Sequence, residues 1–180
     1  MHLYVAPLQC SNYSVINKIV SFLSDYFSLT VSVIEIPVDV STAFNKERGQ
    51  YFSTRLLSDA FSLTSHLDGK ILLIAEFDLF VPVFTYVFGE AQLNGRMSII
   101  SLCRLHEEFY SDQTDDALLL ERAIKESLHE IGHNFGLIHC RDWNCVMHSS
   151  QGIEEVDIKG QVYCNSCKKS IPAKQSSLNI

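Results

Sequence analysis

Eleven residues constrain this chain more than any other stretch: His129-Glu130-Ile131-Gly132-His133-Asn134-Phe135-Gly136-Leu137-Ile138-His139, which reads H-E-x-x-H-x-x-G-x-x-H. Residues four apart on an α-helix sit one above the other on the same face. His129 and His133 can therefore reach one metal ion from one side. A helix continuing past them would carry His139 away along the rod, so the helix must stop. Gly136 suits that stop, because glycine accepts the left-handed conformation that ends many helices. A turn there swings His139 back toward the ion. Three imidazoles bind zinc and leave its fourth tetrahedral position open, the arrangement of a catalytic rather than a structural site. Glu130, next to the first ligand, is placed to take a proton from water at that position.

Four cysteines follow as two short pairs, Cys140 with Cys145 and Cys164 with Cys167. Four thiolates make a closed zinc shell with no room for water, so this second site is expected to be structural. The alternative is two disulfides. Paired short spacings in a chain with no evident secretory signal favour metal. Redox chemistry at Cys164-x-x-Cys167 lacks its βαβ context. Cys103, in an apolar run, reads as a small buried residue.

These residues carry a resemblance. The motif resembles the metzincin clan of zinc peptidases, which have a methionine in a tight turn beneath the metal, and Met147 follows in Asn144-Cys145-Val146-Met147. With the four cysteines the set resembles the archaemetzincin (archaelysin) family. Arg48-Gly49-Gln50-Tyr51 and the stretch from Asp78 to Gly89 are similar to it too. Sixteen residues separate Met147 from Cys164, about one fewer than the family pattern, a change that a connecting loop absorbs. The resemblance implies a zinc metallopeptidase with two zinc ions, one catalytic and one structural. It implies a twisted mixed sheet over the active-site helix, and a peptide substrate pairing with the edge strand. By that analogy Thr85, Tyr86, Val87, Phe88 and Gly89 line the substrate. It leaves exo- and endopeptidase action open, with cleavage of short peptides from the N-terminus among the options. It suggests an archaeal cytoplasm.

Composition fits. The chain has 180 residues, 47% hydrophobic and 19% charged, which suits one domain with a sizeable core. Residues 1–139 would hold the sheet and active-site helix, and 140–180 the methionine turn and four-cysteine zinc subdomain. A net charge of −7 argues against a nucleic-acid-binding surface. No apolar run approaches membrane-spanning length. The start, Met1 to Pro7, has no signal-peptide pattern.

The periodicities predict an α/β chain. Strands are expected at residues 2–8, 29–36, 70–75, 82–89 (an edge strand) and 96–105. Helices are expected at 12–26, with Ser11 as cap, at 51–63 and at 115–135, with residues 38–50 as a loop. Thr114, Asp115 and Asp116 make a good start for the last helix. Its buried stripe would be Leu120, Ile124, Leu128, Ile131 and Phe135. The tail from Lys168 is polar. His148, beside Met147, reads as a surface or supporting residue, because three histidines already fill the protein positions. Glu76 and Asp78, at a strand end, read most simply as hydrogen-bonded carboxylates. Two other readings share these parts: a non-catalytic zinc- or peptide-binding module on a peptidase fold, and a hydrolase of non-peptide amides. An intact Glu130 counts against the first.

Overall fold

A computed structural model describes residues 1–171; the end of the polar tail lies outside the described residues. The organising layer is a five-stranded sheet in the order β2-β1-β5-β8-β7. Its strands are β1 (His2–Leu8), β2 (Thr30–Val33), β5 (Lys70–Ala75), β7 (Gly89–Ala91) and β8 (Met97–Ser101). The first four in that order are parallel, and β7 closes one edge antiparallel to β8. Helices cover both faces of a parallel sheet, so its central strands are apolar on both sides. Ile71, Leu72, Leu73, Ile74 and Ala75 are accordingly all buried.

One face packs α1 (Tyr13–Phe27) and α3 (Asp116–Asn134) through Ile16, Ile19, Leu23, Leu119, Leu128 and Ile131. The other packs α2 (Ser53–Leu63) through Leu56, Leu57 and Ala60. The expected α/β class and mixed sheet are borne out. So is α3, whose cap is Asp115: Oδ1 accepts from the backbone N–H groups of Ala117 and Leu118 at 3.0 and 2.9 Å. Leu120 and Phe135 are only half-buried, and Leu119 and Ala123 hold the core positions instead.

Several boundaries differ from expectation, each for a local reason. The cap of α1 is Asn12, not Ser11, with Oδ1 accepting from Val15 N–H at 3.2 Å. Residues 38–50 are not a plain loop. They hold a 3₁₀ turn (Val40–Ala43) and β3 (Phe44–Asn45) and run into β4 (Gln50–Phe52), which with β6 (Leu79–Phe80) forms a second small sheet. Strands this short have no readable period. Residues 82–88 are not the edge strand. They form turns, held by Arg48 Nη2 donating to the carbonyls of Phe84 and Thr85 at 2.7 and 2.8 Å. Only Gly89, the last residue of the expected span, enters the true edge, β7. The strand expected to reach Leu105 ends at Ser101, where Leu105 N–H bonds to Leu102 carbonyl in a turn. Cys103 is half-exposed rather than buried.

After α3 the chain turns beneath the sheet and forms a short helix, α4 (Ile153–Ile158). Buried Arg122 grips it with Nε and Nη2 on Asp157 at 2.7 and 2.8 Å. Lys125 Nζ donates to its last carbonyls, those of Val156 and Asp157, groups that a helix end leaves without partners. The segment carrying the cysteines is thus fixed to α3 from outside the cysteine cluster as well as through it.

Candidate active site and cysteine cluster

The helix ends as the motif requires. Leu137 N–H bonds to Gly132 carbonyl at 3.0 Å and Gly136 N–H to His133 carbonyl at 2.9 Å, the paired 6→1 and 5→2 bonds of a Schellman cap. Gly136 takes φ +86°. An added Cβ there would meet only Asn94, at 3.7 Å or more, so backbone conformation rather than space demands glycine. The turn brings His139 against the other two: the donor atoms of His129, His133 and His139 lie within 4.8 Å of one another.

Each helical imidazole is oriented by its other nitrogen. His129 Nδ1 sits 2.8 Å from Val146 carbonyl, and His133 Nδ1 is 2.7 Å from Leu137 carbonyl. Both Nδ1 atoms therefore carry the proton, and both Nε2 atoms are free to ligate. The two Nε2 atoms stand 3.1 Å apart. Two ligands at zinc–nitrogen distances on tetrahedral corners stand roughly 3.3 Å apart, so the cluster fits the ion. Burial lowers the pKa of all three histidines, His129 well below the usual imidazole range, and the nearby Lys159 ammonium adds to the effect. They are neutral near pH 7, the form that binds metal.

Glu130 is 5% exposed. Burial raises its carboxyl well above the ordinary carboxylate range; the Glu126 carboxylate adds to this and Lys159 opposes it. A Cβ on Gly89 would lie 2.7 Å from Glu130 Cγ and Oε1. The edge strand therefore approaches the helix this closely only because residue 89 has no side chain.

The floor of the site comes from the segment after His139. His148 N–H bonds to Cys145 carbonyl at 2.9 Å, closing a tight turn with Met147 inside it at 0% exposure. Met147 Sδ and Tyr163 press on Gly132, the residue before His133, where a Cβ would collide with both side chains. The Tyr163 hydroxyl donates to Leu128 carbonyl at 2.6 Å.

The sulfur atoms of Cys140, Cys145, Cys164 and Cys167 also lie within 4.8 Å of one another, and all are free thiols. Cys140 Sγ and Cys164 Sγ are 3.9 Å apart. That is far beyond a disulfide bond and near the roughly 3.8 Å between thiolates on tetrahedral zinc. A backbone hydrogen bond from Cys167 is the main force pulling the Cys164 thiol down to about 7, while burial pushes Cys145 and Cys167 up.

A cleft of about 830 Å³ runs over the histidines. Thr85, Tyr86, Val87, Phe88 and Gly89 line it, as does the rest of β7. His148 does not join the histidine cluster; its ring stacks on Trp143 with centroids 3.8 Å apart. Glu76 accepts from Cys10 Sγ and lies 3.0 Å from His106 Nε2, while Asp78 holds Arg104. Both carboxylates are thus structural hydrogen-bond partners. Sequence reasoning missed Gly132, Glu126 and Lys159. A small residue between the two helical histidines was a usable signal for the first. Nothing in the sequence links residues 126 and 159.

A family model described as peptidase family M54 matches residues 4–173. The chain belongs to that family. An archaemetzincin of Methanocaldococcus jannaschii is 39% identical over 91% of both chains, and one of Saccharolobus solfataricus 35% over 95% of this chain and 93% of its own. The crystal structure of the Archaeoglobus fulgidus archaemetzincin, complexed with malonate, matches with a TM-score of 0.79 at 33% identity, covering 95% of this chain and 100% of that one. The archaemetzincin of Methanopyrus kandleri gives 0.80 at 31%, over 95% and 93%. The expected archaemetzincin resemblance is borne out, and the chain is a zinc metallopeptidase. No helix among the described residues is long and apolar enough to cross a membrane.

Proposed function

We propose that this archaemetzincin hydrolyses peptide bonds at His129, His133 and His139, which hold one zinc ion, with Glu130 as general base. The observation that carries the reading is the convergence of three neutral imidazoles, two of them oriented by backbone carbonyls, and a buried carboxylate on one cleft beside β7, the edge strand of its sheet among the described residues. When bound there, zinc lowers the pKa of a coordinated water and polarises the scissile carbonyl. Glu130 accepts the proton of the attacking water at its carboxylate and passes it to the leaving amine nitrogen. Burial raises its proton affinity, which favours that uptake. Packing of Glu130 against Gly89 limits the rotamers that could turn the carboxylate away.

An extended peptide is positioned by adding to the outer edge of β7, with Thr85, Tyr86, Val87, Phe88 and Gly89 along its path. A second zinc held by Cys140, Cys145, Cys164 and Cys167 closes the C-terminal segment as a stapled unit after His139. It fixes the Met147 turn and, through it, Gly132. The enzyme works on short peptides in a cytoplasm, where thiols stay reduced.

The test is a mass-spectrometric screen of zinc-loaded protein against a mixed peptide library, with Glu130→Ala in parallel and metal content measured for both. Wild type cleaves, and the variant keeps its zinc while losing at least about a hundredfold in turnover. Equal cleavage by both would remove Glu130 from the mechanism.

A further inference from the structure

Glu126 stands one turn before Glu130 and three residues before His129, so all three share a face of α3, and all line the cleft. Its side chain is 4% exposed, and Oε1 lies 2.7 Å from the Nζ of Lys159, whose side chain is 0% exposed. Apart from that ion contact, neither atom has a hydrogen-bond partner among the described residues. Lys159 is the residue that ends α4, and α4 is clamped by Arg122 on Asp157 and by Lys125 on the carbonyls of Val156 and Asp157. Arg122, Lys125 and Glu126, at i, i+3 and i+4 on one helix face, thus determine where this buried ammonium stands.

A buried carboxylate without a partner is costly. Carboxylate oxygen is also a zinc ligand, and Glu-x-x-His is a spacing that sets a carboxylate and an imidazole on one metal. With nothing else to satisfy it, Glu126 would be drawn to the histidine cluster. We infer that Lys159 is a positioning residue of the active site: by engaging Glu126 it keeps that carboxylate off the metal, so the three-histidine site retains its open position and Glu130 remains the only carboxylate acting there. The inference rests on the reading that the histidines hold zinc.

The experiment uses the full chain with its cysteine site filled by zinc, in four forms: wild type, Lys159→Met, Glu126→Gln, and both together. Zinc affinity at the histidines is read by competition with a chromophoric chelator, and coordination from the visible spectrum after cobalt(II) substitution. Lys159→Met frees Glu126 to ligate. It tightens zinc binding by adding a carboxylate ligand at the open position, changes the cobalt spectrum as carboxylate replaces water there, and lowers peptide turnover. Glu126→Gln leaves an unbalanced cation and weakens zinc binding. The double variant returns affinity and spectrum to near wild type.

Opposite signs for the two single variants set this apart from general loosening, which weakens binding in both. Weaker binding in both, or an unchanged cobalt spectrum in Lys159→Met, would overturn the inference. If Lys159→Met does not fold, Glu126→Gln against the double variant reads the same coupling: recovered affinity supports it and continued loss overturns it. Both metal readouts are taken without substrate, so an absence of peptide cleavage in wild type would count against the proposed mechanism and not against Lys159.

Discussion

Gly132→Ala puts the helix and the floor of the site in direct opposition. In an ordinary helix interior alanine is better than glycine by about 1 kcal/mol, so propensity alone makes the variant more stable. Here the new methyl lies inside the contact distance of Met147 Sδ, 3.3 Å from Met147 Cε and 3.0 Å from Tyr163 Cε1. Both neighbours are buried, Met147 at 0% and Tyr163 at 1% exposure, and the Tyr163 hydroxyl is tied to Leu128 carbonyl. Overpacking of this kind costs about 1–3 kcal/mol, and the flexible thioether keeps it away from the upper limit. The balance is a loss of about 1 kcal/mol, or roughly 2–4 °C in melting temperature for a chain of this length. Circular-dichroism melts of metal-free and zinc-loaded protein measure it. The zinc-loaded form should lose more, because displacing Met147 strains the turn that also supplies the Val146 carbonyl to His129. A variant that melts at or above wild type, with zinc affinity intact, would refute the view that the floor dictates glycine here.

Gly89→Ala should keep its zinc and lose turnover by roughly tenfold or more, since the methyl displaces Glu130 from its place against the strand; metal analysis beside peptide kinetics checks both halves. If the four cysteines hold the proposed second zinc, Cys164→Ser should lower bound zinc by about one equivalent and lower the melting temperature, because such a clamp on the C-terminal segment contributes folding free energy; inductively coupled plasma mass spectrometry counts the metal. His129 has a folded-state pKa well below its unfolded value of about 6.5, burial being the main cause. In metal-free protein its contribution is therefore present above pH 6.5 and lost as the pH falls below that, when only the unfolded chain takes up the proton. The drop in melting temperature between pH 7.5 and 5.5 should be shallower in metal-free His129→Ala than in metal-free wild type, and an equal or steeper drop would contradict the burial of a neutral imidazole.

Much of the site was legible because its spacing is local. The i, i+4 pair, the adjacent glutamate and the glycine stop are determined by helix geometry, so the eleven-residue motif specifies a three-dimensional arrangement on its own. The long elements were legible for a local reason too: α1 and α3 show a period that a linear reading can count, and β5 is an unbroken apolar run. The edge strand was misplaced because Pro82 to Phe88 has strand-like composition, while the carbonyls of Phe84 and Thr85 accept from the side chains of Arg48 and Gln50, more than thirty residues earlier, and Val87 N–H bonds back to Leu79 carbonyl. The second sheet was missed because its strands hold two or three residues each, too few to show alternation.

The sequence by itself determined the candidate ligand types, their order, the turn that returns His139, and the pairing of the cysteines into two short arms. Each of those depends on residues within a few positions of one another, where covalent geometry leaves little freedom. Only the tertiary structure decided what stands behind them: Met147 and Tyr163 against Gly132, Gly89 against Glu130, and Lys159 against Glu126. Those contacts join residues 15 to 41 positions apart. They exist because sheet, helix and stapled tail are packed to interior density, where the presence or absence of one methyl or one charge decides which side chain can occupy a place.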